Sequence, residues 1–215
     1  MDSPTTPATI GPGEFFPVVG VGPHPLPHPT EAHFDPELLL NGDRRNVLDK
    51  YRYWSVEAIV ADLDTKRHKL QIAIENWQHD LNIGSVVRTA NAFNVAAVHI
   101  VGKRDWNKRG AMVTDRYLKI VHHPTVEDFG TWCKENQLPI IGIDNMPGST
   151  QLESAQLPES CVLLFGQEGA GMSDEALAVC DVLYEINQYG STRSMNASAA
   201  GAIAMYHWAL QHLPR

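Results

Sequence analysis

Residues 186–198 have the sequence INQYGSTRSMNAS and lead directly into a helix predicted over residues 196–212. A strand is predicted immediately before them. Open α/β sheets bind their ligands beyond the carboxyl ends of strands, so a dense polar loop at this point is a candidate binding loop. Ser194 or Asn196 could also be only the N-cap of the helix, and the two roles are compatible.

Two earlier segments are also rich in small and polar residues. Residues 82–93 have the sequence NIGSVVRTANAF, and residues 165–173 have the sequence FGQEGAGMS. The glycines of the second segment let the backbone adopt positive φ and let a ligand approach closely. Their spacing matches neither the GxGxxG fingerprint nor a P-loop, which argues against a nucleotide-dependent enzyme. A plain strand-to-helix turn stays open as an alternative, as do a surface position for Arg88 and an N-cap role for Asn82.

The rest of the chain shows alternating strand and helix patterns. Apolar or alternating runs predict strands over residues 70–75, 97–101, 139–143, 161–165 and 182–186. Apolar stripes and capping residues predict helices over residues 55–64, 82–93, 125–136, 173–179 and 196–212. This alternation implies an α/β fold with a mostly parallel sheet flanked by helices. One stripe of the last helix contains Ala199, Ile203, Tyr206, Leu210 and Leu213.

Proline and charge are distributed unevenly. Residues 1–36 contain nine of the 14 prolines, so we expect residues 1–43 to form an extended or disordered acidic arm and residues 44–215 to form the folded domain. The net charge is −6 over residues 1–43, +6 over residues 44–119 and −8 over residues 120–215. Local positive charge attracts a polyanion even when the total charge is negative. The basic run at residues 66–69 could also be only a solvated helix end.

Composition excludes several classes of protein. No run approaches the roughly 18 apolar residues of a membrane span, and the first thirty residues do not resemble a signal peptide. The three cysteines lack CxxC spacing, which argues against disulfides and zinc and favours the cytoplasm. We expect no metal site among the histidines, which include His24, His28 and His33 of the arm and the pair His122 and His123.

The three polar segments, in this order, resemble the three motifs of the SpoU/TrmH branch of the SPOUT RNA methyltransferases. The resemblance extends over roughly residues 69–210. It implies a parallel α/β sheet with a deep C-terminal trefoil knot, a homodimer whose site is completed across the interface, and S-adenosyl-L-methionine (AdoMet) as cofactor. The implied activity is methyl transfer from AdoMet to a ribose 2′-hydroxyl of RNA. The pattern at Gln188, Gly190, Arg193 and Ser194 is closer to tRNA enzymes than to rRNA enzymes. An rRNA substrate, or a non-catalytic RNA-binding or assembly factor on the same fold, stays open as an alternative.

The resemblance also implies roles for individual residues. Catalysis is assigned to Arg88, Asn82, Glu168, Ser194 and Asn196. Three loops would hold AdoMet through Ile143, Asp144, Asn145, Gly166, Gly171, Ile186, Met195 and Asn196. Many relatives have leucine where this chain has Met195, an apolar side chain of similar volume. Arg88 would help deprotonate the hydroxyl, but the pKa of an arginine exceeds ~12. Orientation or charge stabilisation by Arg88 is therefore an equally physical role.

Overall fold

The computed structural model describes residues 20–78 and 82–214 and divides into two compact units, Met1–Ile59 and Val60–Arg215. The division falls within helix α2 (Val56–Asp64), whereas the sequence suggested a boundary after residue 43. Residues 1–19 of the expected arm lie outside the described residues.

The first unit contains a short helix, α1 (Pro36–Asn41), which Asp35 caps by accepting hydrogen bonds from two backbone amides. Asp43 is completely buried and pairs with the Arg45 guanidinium at 2.8 Å. Burial acts to raise the pKa of Asp43, but the hydrogen bonds and charge of Arg45, together with the backbone amide of Tyr53, outweigh it and lower the pKa to about 2. Residues expected to belong to an extended arm therefore include a capped helix and a buried carboxylate, which pairs with Arg45 beyond the arm.

The second unit is built on a seven-stranded sheet in which every pair of neighbouring strands is parallel. The prediction of a parallel α/β sheet flanked by helices is confirmed. The strand order is β3-β2-β1-β6-β4-β7-β5. In chain order the elements are β1 (His68–Asn76), α3 (Asn82–Ala92), β2 (Val95–Gly102), β3 (Ile120–His123), α4 (Val126–Glu135), β4 (Ile140–Ile143), β5 (Thr150–Gln151), β6 (Cys161–Phe165), α5 (Asp174–Val179), β7 (Val182–Glu185) and α6 (Ala197–His212).

Strand β6 lies at the centre of the sheet. Its Leu163 is in register with Ile72 of β1 on one side and Ile141 of β4 on the other. All five of its residues are buried, as expected for a strand covered on both faces. Because β6, β4 and β7 are neighbours and parallel, the loops that follow them emerge at the same edge of the sheet. This edge is where a parallel sheet binds its ligands.

Two helices cover each face of the sheet. Helices α3 and α6 contribute to one apolar core, and α4 and α5 contribute to the other. Helix α6 faces the core with small residues and two large ones, Met205 and Trp208. The apolar stripe noted in the sequence lies largely on the opposite side, where Ile203, Tyr206 and Leu210 are 42%, 57% and 40% exposed. That stripe is therefore not part of the core of a single chain.

The two strands β3 and β5 were not predicted, and β3 contributes one member of a buried polar pair. His99 of β2 and His123 of β3 approach to 2.8 Å between ring nitrogens, and Gln71 contacts the other nitrogen of His99. Burial is the largest cause that lowers the pKa of His99, to about 3, and it also lowers the pKa of His123.

Within residues 20–78 and 82–214, no cluster of three or more His, Cys, Asp or Glu could hold a metal ion. No helix in the same residues is long and apolar enough to cross a membrane.

Candidate active site

The glycine-rich loop after β6 folds tightly on itself. Gln167 and Gly171 exchange two backbone hydrogen bonds of 3.0 Å, and Gly171 has a φ of 71°. A Cβ on Gly166 would lie 2.2 Å from the backbone carbon of Gly171 and the nitrogen of Met172. No side chain fits at residue 166, so this glycine is required by a close backbone approach.

The loop after β4 is attached to the glycine-rich loop through Asp144. One carboxylate oxygen of Asp144 accepts a hydrogen bond from the Met172 amide at 2.9 Å, and the other accepts one from the Asn145 amide at 2.8 Å. A Cβ on Gly171 would approach the first oxygen to 2.8 Å. The carboxylate therefore occupies space that the glycine leaves free, and it fixes the two loops relative to each other.

The loop after β7 is held by the other two. The side-chain amide of Asn145, in the loop after β4, donates to the carbonyl oxygen of Arg193. Within the loop after β7, the side-chain amide of Gln188 donates to the same oxygen at 3.3 Å. On the other side of the cavity, the Ala197 amide donates to Glu168 at 3.2 Å. Side-chain hydrogen bonds therefore connect all three loops at the carboxyl edge of the sheet.

These loops enclose a cavity of about 280 Å³. The structure brings together most of the predicted cofactor-binding residues, because seven of the eight line this cavity: Ile143, Asp144, Asn145, Gly166, Gly171, Ile186 and Met195. The predicted catalytic residues Glu168 and Ser194 line it as well. Phe165 and Gln188, which lie within the segments expected to hold AdoMet, also line the cavity. Ala200 of α6 lines it as well, although sequence reasoning gave this residue no role.

Three residues from the three motifs form a hydrogen-bonded cluster beside the cavity. The side-chain amide of Asn82 donates to Glu168 Oε2 at 2.7 Å. The side-chain amide of Asn196 donates to Asn82 Oδ1 at 2.8 Å and approaches the same Glu168 oxygen at 3.4 Å. The oxygen of the Asn196 side chain caps α6 by accepting from the amides of Ser198 and Ala199. One asparagine therefore both begins the last helix and joins the cluster.

Arg88 lies apart from this cluster. It is exposed on α3 and does not line the cavity. Its side chain makes no hydrogen bond or ion pair with any of the residues that the structure describes. A single chain thus brings together Asn82, Glu168 and Asn196 but does not bring Arg88 to them.

A buried carboxylate supports the glycine-rich loop from behind. Glu75 is fully buried and accepts hydrogen bonds from the Trp77 indole at 2.7 Å and from both the hydroxyl and the amide of Ser173, at 2.7 and 2.9 Å. The Trp77 amide donates to the Gln167 side chain at 3.2 Å. Sequence reasoning treated Ser173 only as a helix cap, which it is. Nothing local to the sequence distinguished Glu75 from an exposed residue at a strand end.

The cavity is bounded by three loops at the carboxyl edge of a parallel sheet. A carboxylate and two carboxamides lie beside it. These features define a ligand-binding α/β protein whose site resembles that of an enzyme. The family model of the SpoU rRNA Methylase family matches residues 69–206, and the chain belongs to this family.

Relatives and solved structures agree with this assignment. A tRNA (guanosine(18)-2′-O)-methyltransferase from Borreliella burgdorferi is 25% identical over 147 residues, which are 67% of each chain. The Escherichia coli enzyme of the same name is 26% identical over 147 residues, and the match spans 64% of that enzyme and 67% of this chain. The AdoMet complex of the SpoU methyltransferase AviRb from Streptomyces viridochromogenes has the same fold. Its TM-score is 0.61 with 22% identity, covering 71% of this chain and 61% of AviRb.

Proposed function

We propose that this protein transfers a methyl group from AdoMet to a ribose 2′-hydroxyl of RNA, with tRNA as the preferred substrate. The observation that carries the proposal is the cluster of Asn82, Glu168 and Asn196 against a cavity lined by all three motif loops. The relatives from Borreliella burgdorferi and Escherichia coli are named tRNA (guanosine(18)-2′-O)-methyltransferases, and this name supports tRNA and a guanosine target.

The cavity fits AdoMet in chemical terms. Apolar side chains such as Ile143, Phe165 and Ile186 can pack against a nucleobase, and the close-packed glycine loop exposes backbone groups to a ligand. The carboxylates of Asp144 and Glu168 favour a positively charged ligand. AdoMet, when bound, supplies the methyl group on a sulfonium. We propose that Gly166, Ile186 and Met195 clasp it through their backbones.

The residues of the chain then align and activate the hydroxyl. Methyl transfer to a 2′-hydroxyl needs alignment and removal of one proton more than covalent assistance. Glu168 orders the glycine-rich loop and holds both carboxamides, and Asn82 maintains the geometry of the cluster. Ser194, on the wall of the cavity, positions the target ribose or Arg88. Arg88 stabilises the developing negative charge on the oxygen or assists its deprotonation.

We propose that the working form is a homodimer, which brings Arg88 of one protomer to the cavity of its partner. The position of Arg88, exposed and apart from the cavity of its own chain, supports this arrangement. The exposed stripe of Ile203, Tyr206 and Leu210 on α6 supplies an apolar surface for an isologous contact.

We further propose that the segment after β7 passes through the loop that precedes it and forms a trefoil knot. The contacts of Arg193 with Asn145 and of Ala197 with Glu168, together with the β6-β4-β7 order, support this path. A chain trace in an experimentally determined structure tests it.

Because the proposed substrate is tRNA, we place the reaction in the cytoplasm, and fractionation of cells that express a tagged chain tests that location.

The first experiment is transfer of labelled methyl from AdoMet to unmodified tRNA and, separately, to rRNA, followed by mapping of alkali-resistant nucleotides. Label at a single tRNA ribose is the expected result. Label only in rRNA would move the assignment to the rRNA alternative. AdoMet binding by calorimetry without transfer to either RNA would favour a non-catalytic RNA-binding factor, and absence of AdoMet binding would exclude the proposed function.

A further inference from the structure

The segment between β2 and β3 exposes two apolar side chains on a strained backbone. Met112 has a φ of 49° and Val113 a φ of 67°, and the two residues are 63% and 54% exposed. Left-handed backbone is unfavourable for residues with a Cβ, above all for a β-branched one. Exposed side chains gain no packing that would offset this strain. Strain of this kind concentrates at sites that bind ligands.

The base of this segment is fixed to the sheet. The side-chain amide of Asn76, at the end of β1, donates to the carbonyl oxygens of Lys103 at 2.7 Å and Asp105 at 2.9 Å. Trp106 and Tyr117, near its two ends, are buried. The segment is therefore a firmly anchored protrusion, and its tip is exposed although its ends are not.

The protrusion packs against the first turn of α3, beside the candidate active site. A Cβ on Gly84 would lie 2.7 Å from the backbone nitrogens of Gly110 and Ala111, and one on Gly110 would lie 2.8 Å from the nitrogen of Ser85. Gly84 is two positions after Asn82, which belongs to the hydrogen-bonded cluster. Met112 and Val113 directly follow the residues in this contact.

Basic side chains surround the exposed tip. Residues 103–119 contain six Lys or Arg and two acids. One of those acids, Asp115, is paired with Lys108 at 3.1 Å. Five exposed cations have side chains that make no hydrogen bond or ion pair with any described residue: Lys103, Arg104, Arg109, Arg116 and Lys119. Unpaired cations around an apolar tip are complementary to an RNA loop, because the loop presents phosphates for the cations and unstacked bases for the apolar side chains.

We propose that residues 103–119 form an RNA-docking element, in which the free cations contact phosphates while Met112 and Val113 pack against an unpaired nucleobase. The inference rests on the proposed function, which makes RNA the substrate. A second copy of the chain fits this surface less well, because an isologous contact at the element would place its cations against one another.

The test measures binding of a fluorescein-labelled, unmodified tRNA transcript by anisotropy over a series of salt concentrations. In the variant Met112→Asn/Val113→Asn, asparagine tolerates left-handed backbone, so the fold is retained while the apolar surface is lost. We expect its Kd to rise about fivefold or more with an unchanged salt dependence. The variant Arg104→Gln/Arg109→Gln should weaken binding and reduce the slope of log K against log salt by about two.

Two control variants make the same kinds of substitution outside residues 103–119. Leu48→Asn alters an apolar residue that is 67% exposed, and Lys134→Gln removes an exposed cation on α4; we expect both to bind tRNA as the wild type does. Wild-type affinity in the Met112→Asn/Val113→Asn variant would overturn the proposal. Conversion of a dimeric wild type to a monomer by the same variant, seen by sedimentation velocity, would also overturn it, because the tip would then be a subunit contact.

The proposed function can fail separately from this inference. AdoMet affinity of the Met112→Asn/Val113→Asn variant, measured by calorimetry, should equal that of the wild type. If the wild type transfers no methyl group but its tRNA binding still depends on Met112 and Val113, the proposed function is overturned and the docking element stands.

Discussion

The Glu168 carboxylate accepts a hydrogen bond from the Asn82 side chain at 2.7 Å, although the two residues are 86 positions apart in the chain. Asn196 donates to Asn82 and approaches Glu168, so each member of the cluster depends on the other two. We expect substitutions within this cluster to be strongly non-additive, because residues in one hydrogen-bond network act as a unit.

Removal of the shared acceptor should impair catalysis. We expect Glu168→Ala to lower kcat/KM for unmodified tRNA by about 100-fold, because Asn82, Asn196 and the Ala197 amide lose their common partner and the cavity loses its alignment. Glu168→Gln keeps an oxygen acceptor and should have an intermediate effect. Steady-state kinetics with each variant measure both. Glu159→Ala removes a surface carboxylate paired with Lys69 and is the matched control. A Glu168→Ala enzyme as active as the control would contradict the role given to the cluster.

A single methyl group on the glycine-rich loop should disrupt it. Gly166→Ala places a Cβ 2.2 Å from backbone atoms of Gly171 and Met172, which cannot move away as a flexible side chain could. We expect the free energy of unfolding to fall by about 1–3 kcal/mol and AdoMet affinity to be lost. Urea denaturation and calorimetry measure the two effects. Gly190→Ala is the control, since a Cβ there meets no atom within 4 Å. Equal behaviour of the two variants would show that the backbone approach is unimportant.

Mixing two inactive variants tests whether the site is shared between protomers. If Arg88 serves the partner's cavity, a mixed dimer of Arg88→Ala and Asn196→Ala protomers contains one intact site and one doubly altered site. Random assembly of equal amounts should then restore about a quarter of wild-type activity. If both residues act within one protomer, no intact site forms, and mixing after co-expression or refolding should restore nothing. Two preparations of the same variant, mixed in the same way, provide the baseline.

Stability should fall on mild acidification because of the buried histidine pair. Burial lowers the pKa of His99 from 6.5 to about 3 and also lowers that of His123. Below pH 6.5 the unfolded chain therefore binds more protons than the folded chain, and stability decreases as the pH falls from about 6.5 towards 3. The slope approaches about 1.4 kcal/mol per pH unit for His99, and His123 acts in the same direction.

Urea denaturation of the wild type and of His99→Gln between pH 7.5 and 4.5 measures this slope. We expect the variant to have a shallower pH dependence, whatever its stability at pH 7.5. Replacement of His28, a half-buried residue that is not part of this pair, by Gln is the control and should leave the slope unchanged. Identical slopes in the wild type and His99→Gln would exclude the buried pair as the cause.

The parallel sheet could be predicted because its central strands are short apolar runs, which are expected to be covered by other elements on both faces. Cys161–Phe165 is apolar throughout, as expected for a strand covered on both faces of a parallel sheet. Ile120–His123 was not predicted because a histidine in the sequence is usually an exposed residue. His123 is buried only because it pairs with His99 of the neighbouring strand. Thr150–Gln151 is too short to show any period. Burial that depends on a distant partner leaves no local pattern.

The same limit applies to the site. Gly166 and Gly171 could be identified from the sequence because close backbone approach demands glycine wherever it occurs. Glu75 could not, since its role depends on Trp77 and on Ser173, which is 98 residues later. The position of Arg88 also could not be predicted, because the sequence indicates a helix but not which surface a second protein chain would cover.

The Asn196 side chain completes a cluster whose other members lie far earlier in the chain, and this order has a consequence for biosynthesis. Strands β1, β2, β4 and β6 are synthesised well before Asn196 emerges from the ribosome, so much of the sheet can form while the ligand cavity is still open. A nascent or truncated chain that ends before residue 186 would lack one wall of the cavity and would not bind AdoMet. AdoMet binding would then itself report that the loop after β7 has been synthesised and has folded.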